Sequence, residues 1–488
     1  MALPKGWVKG TLNDIISPEG IFIDGDWIES KDQDPEGEIR LIQLADIKEL
    51  KFVSKSDRFL TRHKSKELGC TYLKKDDVLI ARMPDPIGRA CLFPYEDEVK
   101  YVTVVDVAIV RTGSDSVLQK WLMYTINAPD YRKKIQENAS GSTRLRISRK
   151  NLGILELPLP PFPEQKRIVA KLDKLFAHFD QLKARLENVP ALLKQFRQAV
   201  LTQAVTGKLT EEWREGKTVI ESGEQLLQRI EMEITNGSKE RLPRGYKTTD
   251  YLIEYDQFNL PAQWSLSVID KIGVVQIGGT PSRAESSYWN GDIRWVSSGE
   301  VDNSRIKDTT ESITKKGLES SSVKVLPIGT VLIAMIGEGK TRGQSSILDI
   351  EAGTNQNVAA IVTKKNHFNP EFLWFFMLAN YEKHRGEGRG ANQPALNGQK
   401  VGAINIPIPP LEEQEEIVLR VESLFAIADK IEASYNTLKE KIDQLPQAIL
   451  SKAFRGELVA REVSTYTGAV EELSMAAEEK RIYNKVKS

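Results

Sequence analysis

The sequence has few of the residues from which catalytic and metal sites are usually built. It contains two cysteines and four histidines among 488 residues. Cys70 and Cys91 are too few for a disulfide framework, which is typical of a protein from a reducing cytoplasm. The spacing of the cysteines and histidines does not match that of zinc ligands. We therefore expect no metal bound by this chain.

An excess of charge of one sign and long apolar runs are also missing. Lys and Arg together number 68, as do Asp and Glu, so the net charge is zero. Any surface that attracts nucleic acid must therefore be local. The apolar run at residues 372–379 is too short to cross a bilayer, and the segment MALPKGWVKG lacks the apolar core of a secretory signal. We expect a cytoplasmic protein with no membrane partner.

Two short matches to catalytic motifs fail on their context. Residues 334–341 read AMIGEGKT, but Ala334 replaces the first glycine of a phosphate-binding loop and RGQSS does not favour the required helix. Asp85, Glu98 and Lys100 have the spacing of a magnesium nuclease, yet neighbouring Pro86 and Gly88 break the strand that such a site needs. The tetrapeptide of an amino-methyltransferase is missing. The sequence therefore predicts no catalytic residue.

An internal repeat organises the chain. Residues 160–180 read PPFPEQKRIVAKLDKLFAHFD, and residues 409–429 read PPLEEQEEIVLRVESLFAIAD. The two copies align without a gap, and each half of the chain also opens alike, with LPKGW at residues 3–7 and LPAQW at residues 260–264. Such a repeat predicts two similar structural units.

Apolar residues in both copies recur at alternating steps of four and three, the spacing of a coiled-coil seam. Because the two copies share one register, we expect two long helices that pair with each other, antiparallel about a pseudo-twofold axis. Gly207 and Gly456 are predicted to end the helices, and each helix is predicted to kink or restart at its internal proline, Pro190 or Pro446. The seam is predicted at Ile168, Leu172, Leu175, Phe179, Leu182 and Leu186 in the first copy and at Ile417, Val421, Leu424, Ala428, Ile431 and Tyr435 in the second.

The segments that precede the helices, residues 1–159 (domain one) and residues 257–408 (domain two), have mixed patterns. Strand-like runs at residues 78–81, 102–110, 331–336 and 358–362 alternate with turn signals, and residues 121–126 and 372–378 favour helices. The fold class is therefore predicted as α+β. The remaining boundaries are predicted as first helix 160–206, linker 207–256, second helix 409–456 and tail 457–488.

Polar residues between the strands differ between the two domains and are the best candidates for a reading surface. Arg offers two donors to guanine, and Asn or Gln fits the edge of adenine. Residues 131–150 also carry seven Lys or Arg and a single acid, which favours contact with phosphates. The candidates in domain one are Arg40, Gln43, Arg82, Arg89, Ser142, Thr143, Arg144 and Arg146, with Asp46 beside them. Those in domain two are Arg294, Ser297, Ser298, Lys340, Arg342, Gln344, Asn355, Gln356, Asn357, Arg389, Asn392 and Gln393.

Several segments together resemble one known family, the specificity subunits of type I restriction–modification systems. They are GGTPS at residues 278–282, GTNQNVAAI at residues 353–361, the two PP…EQ helix openings, and the endings GKLT at residues 207–210 and GELV at residues 456–459. The likeness covers nearly the whole chain. Domain one departs from it by lacking the GTPS and NQ motifs.

The resemblance implies two target-recognition domains that read the halves of an asymmetric, interrupted DNA sequence, with the helix pair setting the gap. It implies as partners double-stranded DNA, two methyltransferase subunits and the restriction (nuclease–translocase) subunits of a host-defence system. S-adenosylmethionine, ATP and Mg²⁺ would be used by those partners, with no cofactor bound by this chain. The chain would then be a non-catalytic subunit that directs adenine methylation and DNA cleavage.

Two other interpretations remain. A coiled-coil adaptor that binds only proteins would explain the helices but not two elaborate, dissimilar domains. A nuclease using Asp85, Glu98 and Lys100 would cleave DNA alone in magnesium.

Overall fold

The computed structural model describes residues 3–84, 86–141, 144–217, 221–237, 260–337, 339–386 and 396–458. It divides into two compact units. Unit one comprises residues 1–187 and 436–488, and unit two comprises residues 188–435. Each unit therefore contains one of the two domains together with segments of both predicted helices.

Unit one combines short strands with helices. Its strands form a pair β1–β9, a four-stranded sheet in the order β2-β8-β5-β6, and a three-stranded sheet in the order β4-β3-β7. The strands are β1 Val8–Gly10, β2 Ile21–Asp24, β3 Ile39–Ile42, β4 Phe59–Leu60, β5 Val78–Ala81, β6 Ala90–Leu92, β7 Lys100–Thr103, β8 Val107–Arg111 and β9 Leu157–Leu159. The helices are α1 Leu12–Ile15, α2 Arg62–Glu67, α3 Gln119–Asn127, α4 Pro129–Glu137, α5 Arg149–Gly153 and α6 Phe162–Glu187.

Unit two has the same arrangement with one further strand in the larger sheet. Its sheets are the pair β10–β19, β11-β18-β15-β16-β13 and β14-β12-β17. The strands are β10 Ser265–Val268, β11 Gly273–Ile277, β12 Trp289–Val296, β13 Arg305–Ile306, β14 Glu311–Ile313, β15 Val331–Ala334, β16 Ser345–Leu348, β17 Gly353–Thr354, β18 Val358–Thr363 and β19 Asn405–Ile408. The helices are α7 Val189–Val205, α8 Glu211–Glu215, α9 Gly223–Gly237, α10 Ile269–Ile272, α11 Lys315–Glu319, α12 Pro370–Ala379, α13 Tyr381–Gly386, α14 Gly398–Gly402 and α15 Leu411–Phe454, of which residues 436–454 belong to unit one.

The mixture of strands and helices confirms the predicted α+β class. One predicted strand, residues 102–110, is wrong because the chain turns at residues 104–106 and changes sheet there. The Val107 amide donates to the Val104 carbonyl across this turn at 2.9 Å. β7 then belongs to the smaller sheet and β8 to the larger one. Domain two turns at the equivalent place, between β17 and β18.

The two long helices differ in continuity. The first stops at Glu187, and a new helix starts at Val189 with Pro190 in its first turn, which confirms the predicted interruption. The second runs without a break from Leu411 to Phe454, so it does not restart at Pro446, and a kink there stays a prediction. Pro446 removes one amide from the hydrogen-bond ladder, but buried residues on both sides, Ile442 and Ile449, hold the flanking turns in place.

Within each unit the two helical segments run antiparallel. In unit one the Lys171 ammonium donates to the Leu458 carbonyl at 2.7 Å, and further along the first helix Lys183 lies 3.6 Å from Asp443. In unit two Arg197 pairs with Asp429 at 2.6 Å, and the Arg420 guanidinium donates to the Leu209 carbonyl at 2.9 Å.

The ends of both helices complete the domain cores. In unit one Ile168 and Leu172 from the beginning of α6 pack with residues near the end of α15, which are Ile449, Leu450, Ala453, Phe454 and Leu458. In unit two Ile417, Val418 and Val421 pack with the end of α7, which supplies Val200, Leu201, Ala204 and Val205. Part of the predicted seam therefore belongs to the domain cores.

The remaining seam positions are less buried. Leu175, Phe179, Leu182, Leu186, Leu424 and Tyr435 are half-buried, Ala428 is buried, and Ile431 is 41% exposed. Half-burial is typical of a seam between only two helices. Direct packing of these side chains across the seam stays a prediction.

The repeated PP…EQ motif fixes the beginning of each long helix to its domain. In unit one the buried Gln165 amide oxygen accepts from the Leu118 amide at 3.0 Å, at the start of α3. In unit two Gln414 accepts from the Asn369 amide at 2.8 Å, at the start of α12. Each glutamine also donates to the carbonyl of a proline in its own motif, Pro160 or Pro409. The motif is therefore a buried polar clamp, satisfied on both sides.

The GKLT ending of the first helix joins the same corner of unit two. Gly207 has a φ of 78°, the left-handed conformation predicted for a helix-ending glycine, and Gly456 has 75°. Beyond Gly207, the buried Glu413 carboxylate accepts from the Thr210 hydroxyl at 2.7 Å, from Arg214 and from the Trp264 indole at 2.8 Å. The segment predicted as a linker therefore begins as part of a folded core, to which α9 adds Leu226 and Ile230.

Leu450→Ala should destabilise unit one although residue 450 lies near the end of the second helix. The side chain is fully buried in the core of domain one, so its truncation should cost about 2–5 kcal/mol. Hydrogen exchange would show faster opening of α3. Leu419→Ala is the matched control, because Leu419 is 64% exposed on the same helix and its loss should cost no more than about 0.5 kcal/mol. Equal effects of the two changes would contradict this packing.

Candidate nucleic-acid interface

Three of the predicted reading segments of domain two meet at one edge, where strands end. The Asn355 amide donates to the Val296 carbonyl at 3.1 Å, which joins the turn at residues 354–357 to the end of β12. The Met335 amide donates to the Asn357 carbonyl at 2.9 Å, which joins the turn to the loop after β15. In that loop the Ala334 amide donates to the Gln344 carbonyl at 2.9 Å. We call this surface the reading edge of domain two.

The predicted side chains at this edge differ in accessibility. Gln356 and Lys340 are exposed, and Ser297, Ser298, Arg342, Gln344 and Asn357 are half-buried. The Thr280 hydroxyl, just beyond β11, donates to the Gln356 side-chain oxygen. Arg294 is half-exposed on β12 and lies 3.1 Å from Asp308.

Asn355 has a different role from the one predicted. It is only 8% exposed, and its side-chain oxygen accepts from the Asn357 amide at 3.0 Å. This contact shapes the turn, as asparagine side chains often do. Asn355 therefore positions its neighbours instead of facing a ligand.

Domain one repeats the hydrogen bonds of this edge. The Asp26 amide donates to Thr103 at 2.8 Å, as Gly279 donates to Thr354 at 2.8 Å. The Arg82 amide donates to Asp106 at 2.9 Å, as Met335 donates to Asn357.

A third pair of contacts matches on the neighbouring strand. The Gln43 amide donates to the Asp46 carboxylate at 2.8 Å, as the Ser297 amide donates to Glu300 at 2.8 Å. These contacts make Trp27 the counterpart of Thr280, Gln43 that of Ser297, and Val105 that of Gln356. The frame is shared, but the side chains on it differ in chemistry.

An open cleft of about 400 Å³ lies at the corresponding edge of domain one. It is lined by residues 26–29, 43–45 and 104–106. These three segments are the counterparts of residues 279–282, 297–299 and 355–357 in domain two. The cleft therefore occupies the place at which domain two carries its predicted reading residues.

Three carboxylates of the cleft make identifiable contacts. Asp26 accepts from the Thr71 amide at 3.1 Å, and partial burial raises the pKa of its carboxyl group to about 6. Asp106 pairs with Arg146 at 3.1 Å, so this predicted basic residue lies beside the cleft. Glu29 pairs with the exposed Lys31 at 2.6 Å. The hydrogen bond from Lys31 lowers the pKa of the Glu29 carboxyl group.

Two predicted reading residues of domain one are instead buried supports. Arg89 is 3% exposed and donates to four backbone carbonyls, those of Ile47, Met83, Pro86 and Leu44. Arg82 is 2% exposed, donates to the carbonyls of Ile147 and Val105, and lies 3.2 Å from Asp24. We correct the prediction for both, because their donors already hold the loops of the edge together.

Arg40 and Asp46 also stabilise this frame. The half-buried Arg40 donates to the Ser54 hydroxyl at 2.7 Å and to the Ser56 carbonyl at 2.8 Å. The fully buried Asp46 accepts from the amides of Lys55 and Ser56 at 2.7 and 2.8 Å.

Arg144 is exposed within a loop whose ends, Ser140 and Arg146, exchange backbone hydrogen bonds at 2.9 and 2.8 Å. The predicted residues Ser142, Thr143, Arg389, Asn392 and Gln393 lie outside the described residues.

Trp27, Asp106 and Thr280 lie at these edges but are not among the residues predicted from the sequence. A signal was present, because TVVDVA at residues 103–108 aligns with TNQNVA at residues 354–359. That alignment identifies Asp106 as the counterpart of Asn357. The alignment is easily overlooked because Val104 and Val105 stand where domain two has the Asn and Gln of the NQ motif.

Among the described residues no group of three or more His, Cys, Asp or Glu could hold a metal ion. The phosphate-loop match at residues 334–341 is followed by strand β16, where such a loop needs a helix. Asp85 lies outside the described residues. Among the described helices, none is both long and apolar enough to cross a membrane.

Asp26→Asn should stabilise the protein at neutral pH. Because the folded-state pKa of about 6 exceeds the ordinary value of 3.8, ionisation of Asp26 favours unfolding as the pH rises from about 4 to 6. Asparagine avoids this cost and still accepts from Thr71. Thermal unfolding at pH 7 should show a gain of about 1 kcal/mol, since solvent screens the partly exposed carboxylate. The gain should shrink towards pH 4.

Asp57→Asn is the control for this change, because Asp57 is an exposed carboxylate of the same domain. It should leave the stability unchanged at both pH values. A gain for Asp26→Asn that persists at pH 4 would contradict a cause in ionisation.

Comparison with known proteins agrees with this architecture. Residues 4–191 and 261–442 both match the sequence model of the type I restriction modification DNA specificity domain. The EcoBI specificity subunit of Escherichia coli is 33% identical over 345 residues, which cover 68% of this chain and 65% of that protein. The EcoDI specificity subunit of Escherichia coli is 30% identical, with 67% of this chain and 68% of that protein covered. The chain thus spans about two thirds of the length of these relatives.

A solved structure has the same fold along nearly the whole chain. The HsdS subunit from Thermoanaerobacter tengcongensis matches with a TM-score of 0.60 at 17% sequence identity, covering 94% of this chain and 99% of that one. Two matched specificity domains, relatives at 30% identity or more and this shared fold show that the chain belongs to the family of type I restriction–modification specificity subunits.

Proposed function

We propose that this chain is the non-catalytic subunit that gives a type I restriction–modification complex its DNA sequence specificity. Domain one and domain two each read one half of an asymmetric, interrupted sequence. The observation that carries the proposal is the shared frame of hydrogen bonds, on which the two domains present different side chains. One fold with two unlike edges is what a reader of two unlike half-sites needs.

The partners follow from the family. Two methyltransferase subunits and the restriction subunits bind this chain, use S-adenosylmethionine, ATP and Mg²⁺, and carry out adenine methylation and cleavage in the cytoplasm. The cores described above support a purely structural role for the buried polar groups of this chain. Glu413 and Gln414 hold a helix to its domain and leave no carboxylate there for chemistry.

An adaptor that binds only proteins is the alternative. It would explain the helices, and exposed apolar residues such as Leu192 and Ile427 are compatible with it. It would give no reason for a loop of basic residues beside a built cleft. The two functions differ in one measurable property, since an adaptor selects no DNA sequence.

Domain exchange with a relative should separate the two half-sites. The chain would be co-expressed with its methyltransferase subunits, and methyladenine would be mapped in cellular DNA. We expect one asymmetric, interrupted motif, of which only one half changes when residues 1–159 are replaced and only the other when residues 257–408 are replaced. The exchanged domain one must keep an aromatic residue at Trp121, which packs edge-to-face on Phe454. The absence of any motif would favour the adaptor, whereas an uninterrupted motif would mean that at least one of the two domains does not read DNA.

Arg144→Ala should weaken DNA binding without changing the preferred sequence. An exposed arginine in a basic loop contacts phosphate more often than base, so its loss should lower affinity for all sequences. The slope of log affinity against log salt should become shallower by about one. Lys66→Ala removes an exposed charge from α2, away from the cleft lining, and serves as the control. A change in sequence preference with an unchanged salt slope would assign Arg144 to base reading.

A further inference from the structure

The cleft of domain one is a concave site at the edge that corresponds to the reading edge of domain two. Its lining comes from the turn after β2, the turn after β3 and the turn between β7 and β8, so three strand ends hold it in place. Backbone hydrogen bonds of 2.8 and 2.9 Å join Asp26 to Thr103 and Arg82 to Asp106, and the Gln43 amide donates to the Asp46 carboxylate at 2.8 Å within the turn after β3. The cleft is therefore a preformed site, as small-ligand and base-edge sites usually are.

The polar groups of the cleft favour a hydrogen-bond donor as ligand. Asp26 and Asp106 bring carboxylate oxygens to the lining, and Gln43 brings an amide. Arg146 forms an ion pair with Asp106, and Lys31, whose side chain is 77% exposed, forms one with Glu29. Lining acceptors with neighbouring cations suit a nucleotide whose base enters the cleft while its phosphates stay near Arg146 and Lys31.

Trp27 adds an apolar plane at this site. Its side chain is 67% exposed although tryptophan is usually buried, and its indole donates to Glu29 at 3.3 Å. The counterpart position in domain two holds Thr280, which is engaged with Gln356. Val105, the counterpart of Gln356, has no side-chain hydrogen bond to offer. The two edges thus differ most at Trp27 and Val105.

We propose that the cleft of domain one receives the edge of a base that carries an exocyclic amino group, cytosine or adenine, with Trp27, Gln43 and Val105 as specificity determinants. This rests on the proposed function and adds the chemical class of ligand read at this site. Carboxylates accept from the cytosine amino group, and amide side chains pair with adenine. Val105 offers only apolar contact, so it disfavours a base whose polar group would lie directly against it without a hydrogen-bond partner.

The test uses the full chain in complex with its methyltransferase subunits. Trp27→Ala and Val105→Gln should change one position of the half-site that exchange of residues 1–159 assigns to domain one. The preference at that position should fall about tenfold or more, and the other half-site should stay as it is. Val99→Gln is the control, because Val99 is 45% exposed in the same domain but outside the cleft lining.

A chemical probe separates a base in the cleft from a phosphate. DNA duplexes would carry, one position at a time, purine in place of adenine or pyrimidin-2-one in place of cytosine, both of which lack the amino group. One substitution in the half-site of domain one should weaken binding by the wild-type complex about tenfold, and Trp27→Ala should reduce that difference. If neutral methylphosphonates at that half-site weaken binding while no amino-lacking base does, the cleft holds phosphate and the proposal is overturned.

The remaining outcomes are also decisive. A wild-type complex with no interrupted motif would overturn the proposed function itself. An interrupted motif that Trp27→Ala and Val105→Gln both leave unaltered would overturn only the assignment of the cleft. Trp27→Ala keeps the test valid if Val105→Gln prevents folding, because truncation of a largely exposed side chain should leave the circular dichroism spectrum unchanged.

Discussion

The structure depends on the burial of helix ends inside the domain cores. Ile168 and Leu172 enter the core of domain one with Leu450 and Phe454, and Ile417 and Val421 enter that of domain two with Leu201 and Ala204. Neither core is complete without residues from both long helices. Apolar burial of this kind is the largest favourable term in folding, so it fixes where each helix must begin and end.

Polar contacts then fix the orientation of each long helix relative to its domain. Gln165 and Gln414 bind the first turn of a domain helix, and Glu413 gathers three donors from separate segments. A buried carboxylate is tolerated only with such partners. Matching hydrogen bonds constrain the backbone of the edge in both domains, so side chains such as Trp27 and Thr280 can differ between them. The side chains at the edge can therefore differ while the frame stays the same.

The sequence predicted the features that follow from periodicity and repetition. The α+β class, the repeat, the restart near Pro190 and the helix-ending glycines at residues 207 and 456 were all readable. Long-range contacts were not. Arginine is a residue type that often contacts bases, so the sequence favours Arg82 and Arg89 as candidates. Only their hydrogen bonds to distant backbone carbonyls show that they hold loops together. The unbroken helix through Pro446 likewise depends on packing that local propensity does not contain.

Because each core contains residues from distant parts of the chain, the position of a mutation in the sequence does not show which domain it destabilises. A lesion at residue 450 lies almost at the far end of the described chain, yet it strikes the core that holds Trp121 and Leu122. In a genetic screen it would group with alleles of domain one, and suppressors would arise among the first 187 residues. Recombination between relatives is constrained in the same way. A domain one taken from a relative must pack against the end of the second long helix of the recipient chain.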